Sequence, residues 1–201
     1  MQEREFIPKI GMKKNAFWEE VTAESHRHNA CNILMYMKLM LEKAAANKVP
    51  VHKSDFEKFG AGLSFFKGVT EYHDGKRKMA GWFDRINQYD RANGVDVRHY
   101  IVSSGIREMV AGTAIAGKFD RIYASSFCYD HNGVASWPAL AVNYTTKTQF
   151  LFRINKGDLK PSSTNSPVTI GSMAPTPYGH NRPGLSWARK YIADISYQSR
   201  P

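Results

Sequence analysis

The chain has 201 residues, 42% of them hydrophobic and 23% charged, which is the balance of a folded domain with a buried core and excludes a disordered chain. Its formal net charge is +10, yet the positive residues are spread along the chain with short clusters only at Lys13-Lys14 and Lys76-Arg77-Lys78, and no zinc-finger spacing, RNP motif or recognition-helix signature accompanies them. No apolar run reaches the roughly 18 residues that cross a bilayer, and the first residues are neither a signal nor a transit peptide, so a cytoplasmic protein without membrane contact is expected.

From residue 15 to 46 the apolar residues recur at helical spacing, as in Phe17, Trp18, Val21 and then Ile33, Leu34, Tyr36, Met37, Met40 and Leu41, which predicts two helices ended by Pro50. Ser54-Asp55-Phe56-Glu57 reads as the start of a third, with Ser54 as N-cap and Glu57 at the third position. Residues 78 to 87 read as another amphipathic helix with Met79, Trp82, Phe83 and Ile86 on one side. The first ninety residues are therefore expected to be mainly helical. His26 and His28 flank Arg27 in a loop, with no cysteine or acid at ligand spacing, and read as solvent-facing. Trp82, Phe83, Tyr123 and Trp137 read as core packing. Cys31 and Cys128 are too few for a disulfide framework or a zinc site and read as buried thiols.

Asn93-Gly94 marks a turn, after which the pattern changes. Residues 95 to 102 are β-branched and read as a buried strand that Ser103-Ser104-Gly105 ends; a helix follows from residue 106 to 111 or beyond, and residues 119 to 127 form a second apolar run. Strand, helix and strand in so short a span make a βαβ unit with a parallel sheet. Asn132-Gly133 predicts a hairpin within residues 130 to 142. Thr145-Thr146-Lys147 opens a helix over residues 147 to 156, with Gly157 as its C-cap. Six of the nine prolines lie beyond that glycine, and residues 158 to 201 are expected to be an irregular tail.

The segment His99-Tyr100-Ile101-Val102-Ser103-Ser104-Gly105-Ile106, an apolar strand ending in Ser and Gly and followed at once by a helix, resembles the second motif of the haloacid-dehalogenase-like (HAD) hydrolase superfamily. Residues 100 to 157 look like its phosphoserine-phosphatase-like subgroup, and residues 6 to 90 resemble that subgroup's helical cap. The resemblance implies an α/β fold: residues 1 to 92 as the cap, 93 to 157 as a partial Rossmann-like core, and 158 to 201 as an unrelated tail. It also implies roles. Ser103 would donate its hydroxyl to a phosphoryl oxygen, with the backbone N–H groups of Ser104 and Gly105 at a helix start completing half of a phosphate cradle. Lys147 matches the third motif, whose lysine offsets the charge of the nucleophile and of the phosphoryl group.

The superfamily attacks phosphate with an aspartate of an Asp-x-Asp-x-Thr-like motif and binds magnesium with a second acidic motif. Neither is found. Asp84, Asp90, Asp96, Asp120 and Asp130 stand alone, and beyond Gly157 the only acids are Asp158 and Asp194. Magnesium, the family's metal, is left without a set of protein ligands. The abrupt change of texture after Lys156 favours a chain truncated at both ends over a repurposed phosphate-binding module, and the expected ligand is a small phosphorylated molecule. Nucleic acid is the less favoured partner. A core lacking its central strand would leave sheet edges unpaired, which predicts marginal stability or self-association.

Overall fold

The computed structural model describes residues 2–156. The expected C-cap at Gly157 and the irregular tail lie outside the described residues. Within them the chain is a mixed α/β protein whose helical N-terminal half packs on a small mixed sheet.

A π-helical turn (Gln2–Phe6) and a 3-10 turn (Ile7–Ile10) lead into α1 (Lys14–His28), α2 (Asn32–Ala46) and α3 (Lys53–Ala61). The two long helices fall where their apolar spacing puts them. The third begins earlier than expected: the N-cap is His52 rather than Ser54, because the Asp55 carboxylate reaches back to the His52 backbone N–H (3.2 Å) and lies 3.1 Å from its Nδ1. His26 and His28 occupy the last turn of α1 rather than a loop, and both are exposed.

Residues 78 and 79 do not open a helix. They belong to a hairpin of β1 (Tyr72–Asp74) and β2 (Arg77–Met79), turned by Asp74-Gly75 with Gly75 at φ +60°, and α4 (Trp82–Ala92) follows it. The Asp-Gly pair was the available signal; three-residue strands are too short to show an alternating pattern. Gly81 stands at the N-cap of α4, where a Cβ would come within 2.6 Å of the Val69 carbonyl oxygen.

The expected βαβ unit is present. Strand β3 (Tyr100–Ile106) runs parallel to β4 (Arg121–Tyr129), with α5 (Arg107–Ala111) between them, and β4 pairs antiparallel with β5 (Ala135–Leu140) in the order β3-β4-β5. The hairpin turn at Asp130 to Val134 has Gly133 at φ +77°, and the Asp130 carboxylate accepts the N–H groups of Asn132 and Val134. Its first arm is β4 itself, so hairpin and βαβ unit share a strand. Helix α6 (Tyr144–Lys156) closes the described chain.

Two apolar clusters hold these elements. In the larger, Phe6, Ile7, Phe17, Met37, Met40 and Phe56 from the helices meet Ile106, Met109 and Phe127 from α5 and the sheet. In the smaller, Phe150 and Ile154 of α6 pack on Tyr100, Val102 and Val142. The residues of β3 from Tyr100 to Ser103 are all buried, as expected of a parallel strand covered on both faces. Two side chains read as core lie outside it: Trp137 is 70% exposed and Trp82 41%. The thiols also depart from expectation, Cys31 being half-buried and Cys128 exposed. Cys128 follows the buried Phe127 in β4 and so points to the opposite face of the sheet, where Trp137 of β5 is its cross-strand partner.

Ahead of β3, His99 is buried against the edge of Phe83 (5.1 Å between centroids), with Nε2 2.8 Å from Asn87 Oδ1. Burial lowers its pKa below the ordinary 6.5, against the opposing pull of Asp120 and Asp90. The unfolded chain therefore takes up the proton first as pH falls. Stability conferred by neutral His99 is fully present above pH 6.5 and is lost as pH drops from there toward the folded-state value. Urea midpoints measured from pH 8 down to 5 should decline over that window in the wild type, and the decline should flatten in His99→Gln.

Candidate functional site

Ser103, Ser104 and Gly105 lie inside β3 rather than after it, and α5 starts two residues later at Arg107. Their register is nonetheless special. Ser103 pairs with Ala124 and Ile106 with Ser125, so Ser104 and Gly105 are an insertion of two residues opposite a single step of β4. Such bulges re-aim the backbone and recur beside active sites.

Polar contacts from two other elements fix this bulge. The Ser104 carbonyl accepts hydrogen bonds from the Tyr36 hydroxyl of α2 and from Ser125 Oγ of β4 (3.1 Å). Ser125 Oγ in turn accepts the Val142 N–H (2.9 Å) just ahead of α6. The Gly105 N–H turns back to Ser103 Oγ at 3.0 Å. Ser103 is 4% exposed and Ser125 fully buried. Deep burial raises the Tyr36 pKa well above the usual phenol range, chiefly by desolvation, so its hydroxyl remains a donor at any physiological pH.

Lys147 comes to the same end of the parallel pair. Helix α6 begins beside Ser125 and runs back along β3 and β4, with Phe150 stacked on Tyr123 (4.7 Å) and Ile154 in the cluster that holds Tyr100. Lys147 precedes Phe150, Leu151 and Ile154 by three, four and seven residues, which sets it on the sheet-facing stripe, half-buried. The helix head is Asn143, whose Oδ1 accepts the Thr146 N–H at 3.0 Å, rather than the threonines around residue 145. Asn143 Nδ2 also lies 3.8 Å from Cys31 Sγ at the start of α2.

The structure thus brings Ser103, Ser104, Gly105 and Lys147 to the carboxyl end of a parallel strand pair, the place where open α/β sheets hold ligands. It also departs from the expected cradle. The N–H groups of Ser104 and Gly105 do not sit at a helix start; the Gly105 N–H is used within the bulge. Reading the chain alone missed Tyr36, Ser125 and Asn143. Tyr36 hides in the apolar stripe of α2, whereas Ser125-Ser126, two adjacent hydroxyls inside an otherwise apolar strand, carried a signal.

A cavity of about 350 Å³ lies elsewhere, between α3, α5 and the head of β4, lined among others by Lys53, Glu57, Arg107, Glu108 and Arg121. Its charges are partly spent on one another: Arg107 Nη2 holds the buried Glu108 carboxylate at 2.9 Å.

No protein-family model matches the chain, and no solved structure matches it. An uncharacterised protein of Borreliella burgdorferi is 26% identical over 179 residues, covering 76% of this chain; the chain spans 58% of that relative's length. No helix among the described residues is long and apolar enough to cross a membrane.

Proposed function

We propose that the chain is the phosphate-holding part of a haloacid-dehalogenase-like hydrolase, a partial Rossmann-like core under a helical cap, which binds a small phosphomonoester without hydrolysing it. The observation that carries this reading is the Ser104-Gly105 bulge at the end of a buried parallel strand, with a lysine-bearing helix head at the same end. Ser103 Oγ accepts from Gly105, which leaves its own hydroxyl proton to donate to a phosphoryl oxygen. Lys147 supplies positive charge, and in phosphoryl chemistry such positioning and charge are most of what a protein contributes.

Magnesium, which the family resemblance implies, does not fit the donors present. Around Ser103 and Ser104 stand hydroxyls, backbone groups and the Gln2 amide. Magnesium requires carboxylates beside the phosphate oxygens, and among the described residues no group of three His, Cys, Asp or Glu could hold a metal ion. Among the described residues none of the contacts given for Ser103 and Ser104 is with an aspartate, the nucleophile that an acyl-phosphate would need.

The test is calorimetric titration of inorganic phosphate, with p-nitrophenyl phosphate turnover followed in parallel. Saturable binding that falls about tenfold or more in Ser103→Ala and in Lys147→Ala, each losing a charge-assisted hydrogen bond, with no turnover, is the expected result. Turnover abolished by both substitutions would overturn the incompleteness, and binding indifferent to both would overturn the site.

A further inference from the structure

The cavity of about 350 Å³ between α3, α5 and the head of β4 is lined by none of the residues of the Ser103–Lys147 end, and its walls carry charges of both signs. Part of that charge is answered within the protein. The buried Glu108 carboxylate takes the Arg107 guanidinium through Oε1. Asp120 holds the Arg98 guanidinium (3.0 Å) and the His99 backbone N–H (3.1 Å). These groups offer a ligand little net charge.

Three charged side chains are left over. Lys53 at the first position of α3, Glu57 one turn further on, and Arg121 at the head of β4 all line the cavity, yet none makes an ion pair or a side-chain hydrogen bond with another described residue. Lys53 and Glu57 stand four residues apart on one helix, the spacing at which opposite charges meet, and they do not close on each other. A lysine in the first turn also works against the helix dipole. Glu57 and Arg121 are half-buried, which leaves their charges less screened than those of a fully solvated surface. The residual set is thus two positive groups and one negative. Its complement is a ligand with two anionic groups and one cationic group, and because Lys53 and Arg121 come from different walls, two separate anions suit them better than a single one. Phe119 and Ile122, both half-buried, add an apolar surface for a short hydrocarbon stem. The volume is at the lower end for pockets that hold small molecules.

We propose that this cavity binds an acidic α-amino acid: Lys53 and Arg121 take its two carboxylates, Glu57 takes its ammonium group, and Phe119 and Ile122 cover its methylene carbons. Arg121 can hold a carboxylate through two parallel N–H groups, the geometry that gives a guanidinium its preference for planar oxyanions. Glu57 sets the selectivity, since it attracts the ammonium group and repels a dicarboxylate that lacks one.

The experiment titrates L-glutamate, glutarate and L-glutamine into the full chain and into its Lys53→Gln, Glu57→Gln and Arg121→Gln variants, with circular dichroism as the check that each is folded. These side chains hold no partner in the protein, so their replacement leaves the packing intact. L-Glutamate is expected to bind saturably. Glutarate, which lacks the ammonium group, and L-glutamine, which lacks the second carboxylate, should bind about tenfold or more weakly. Lys53→Gln and Arg121→Gln should each weaken L-glutamate binding about tenfold, and Glu57→Gln should erase the preference for L-glutamate over glutarate. Absence of saturable L-glutamate binding by the folded wild type, or binding indifferent to Lys53 and Arg121, overturns the site. Glutarate bound as tightly as L-glutamate by the wild type overturns the amino-acid reading, because a plain dianion would then satisfy the cavity.

Discussion

Gly112→Ala is expected to destabilise the protein by about 3 kcal/mol, the upper end of what an added methyl costs in a packed interior. A Cβ at Gly112 would stand 2.0 Å from the Glu57 carbonyl oxygen of α3, and one at Gly60 would stand 1.9 Å from the Met109 carbonyl oxygen of α5. The two glycines form a reciprocal seam in which backbone meets backbone. Neither obstacle is the end of a flexible side chain, so relief requires the helices to part and to loosen Phe56, Phe59 and Met109, all buried between them. Thermal unfolding should shift down by about 6 to 12 °C for a chain of this size. Gly60→Ala should behave alike, and the double variant should lose less than the sum, since helices already parted pay little for a second methyl. Gly117→Ala, whose methyl meets nothing within 4 Å, is the control and should stay within about 0.5 kcal/mol of the wild type. A loss at Gly112 no larger than at Gly117 would show that the seam is not as close as described.

Phe56→Ala should cost about 3–5 kcal/mol. The Phe56 ring is fully buried, stacked on Phe127 of β4 at 5.5 Å and within 6.2 Å of both Phe6 and Phe59. It is the side chain through which the helical half grips the sheet. Its removal leaves a void bounded by three other aromatic rings, which cannot close without moving a strand, a helix and the N-terminal turn together. In urea the midpoint should fall with the slope unchanged, the sign of lost packing in an intact fold. Phe56→Leu, which keeps much of the volume, should lose far less; equal losses in the two variants would mean that ring stacking, not volume, dominates.

Much of the chain was legible where the governing interaction is local. The apolar spacing over residues 15 to 46 was enough to expect two helices there, though not the break between α1 and α2 at residues 29 to 31, and a β-branched run and a second apolar run separated by a short helix were enough to expect parallel strands. Asn132-Gly133 marked its turn, because a positive φ at that position has few residue solutions. The errors fell where a longer-range partner decides. His52 caps α3 because the Asp55 carboxylate reaches it, an alternative that Ser54 and Glu57 concealed. Residues 77 to 79 pair as a strand with 72 to 74, although Met79 also fits the helical spacing of Trp82 and Phe83.

The site divides along the same line. Ser103, Ser104, Gly105 and Lys147 stood out in the chain by their place after a strand and near a helix head. Their geometry did not. The insertion at Ser104-Gly105 exists only in relation to Ala124 and Ser125 of another strand, and Tyr36, which holds it, lies 68 residues earlier in the sequence. A hydrophobic period records which face of an element is buried, and a turn residue records a backbone angle; both are properties of a few neighbouring residues. A bulge fixed by Tyr36 and Ser125 and a seam of two facing glycines are properties of pairs brought together by packing, and only the tertiary structure decides them.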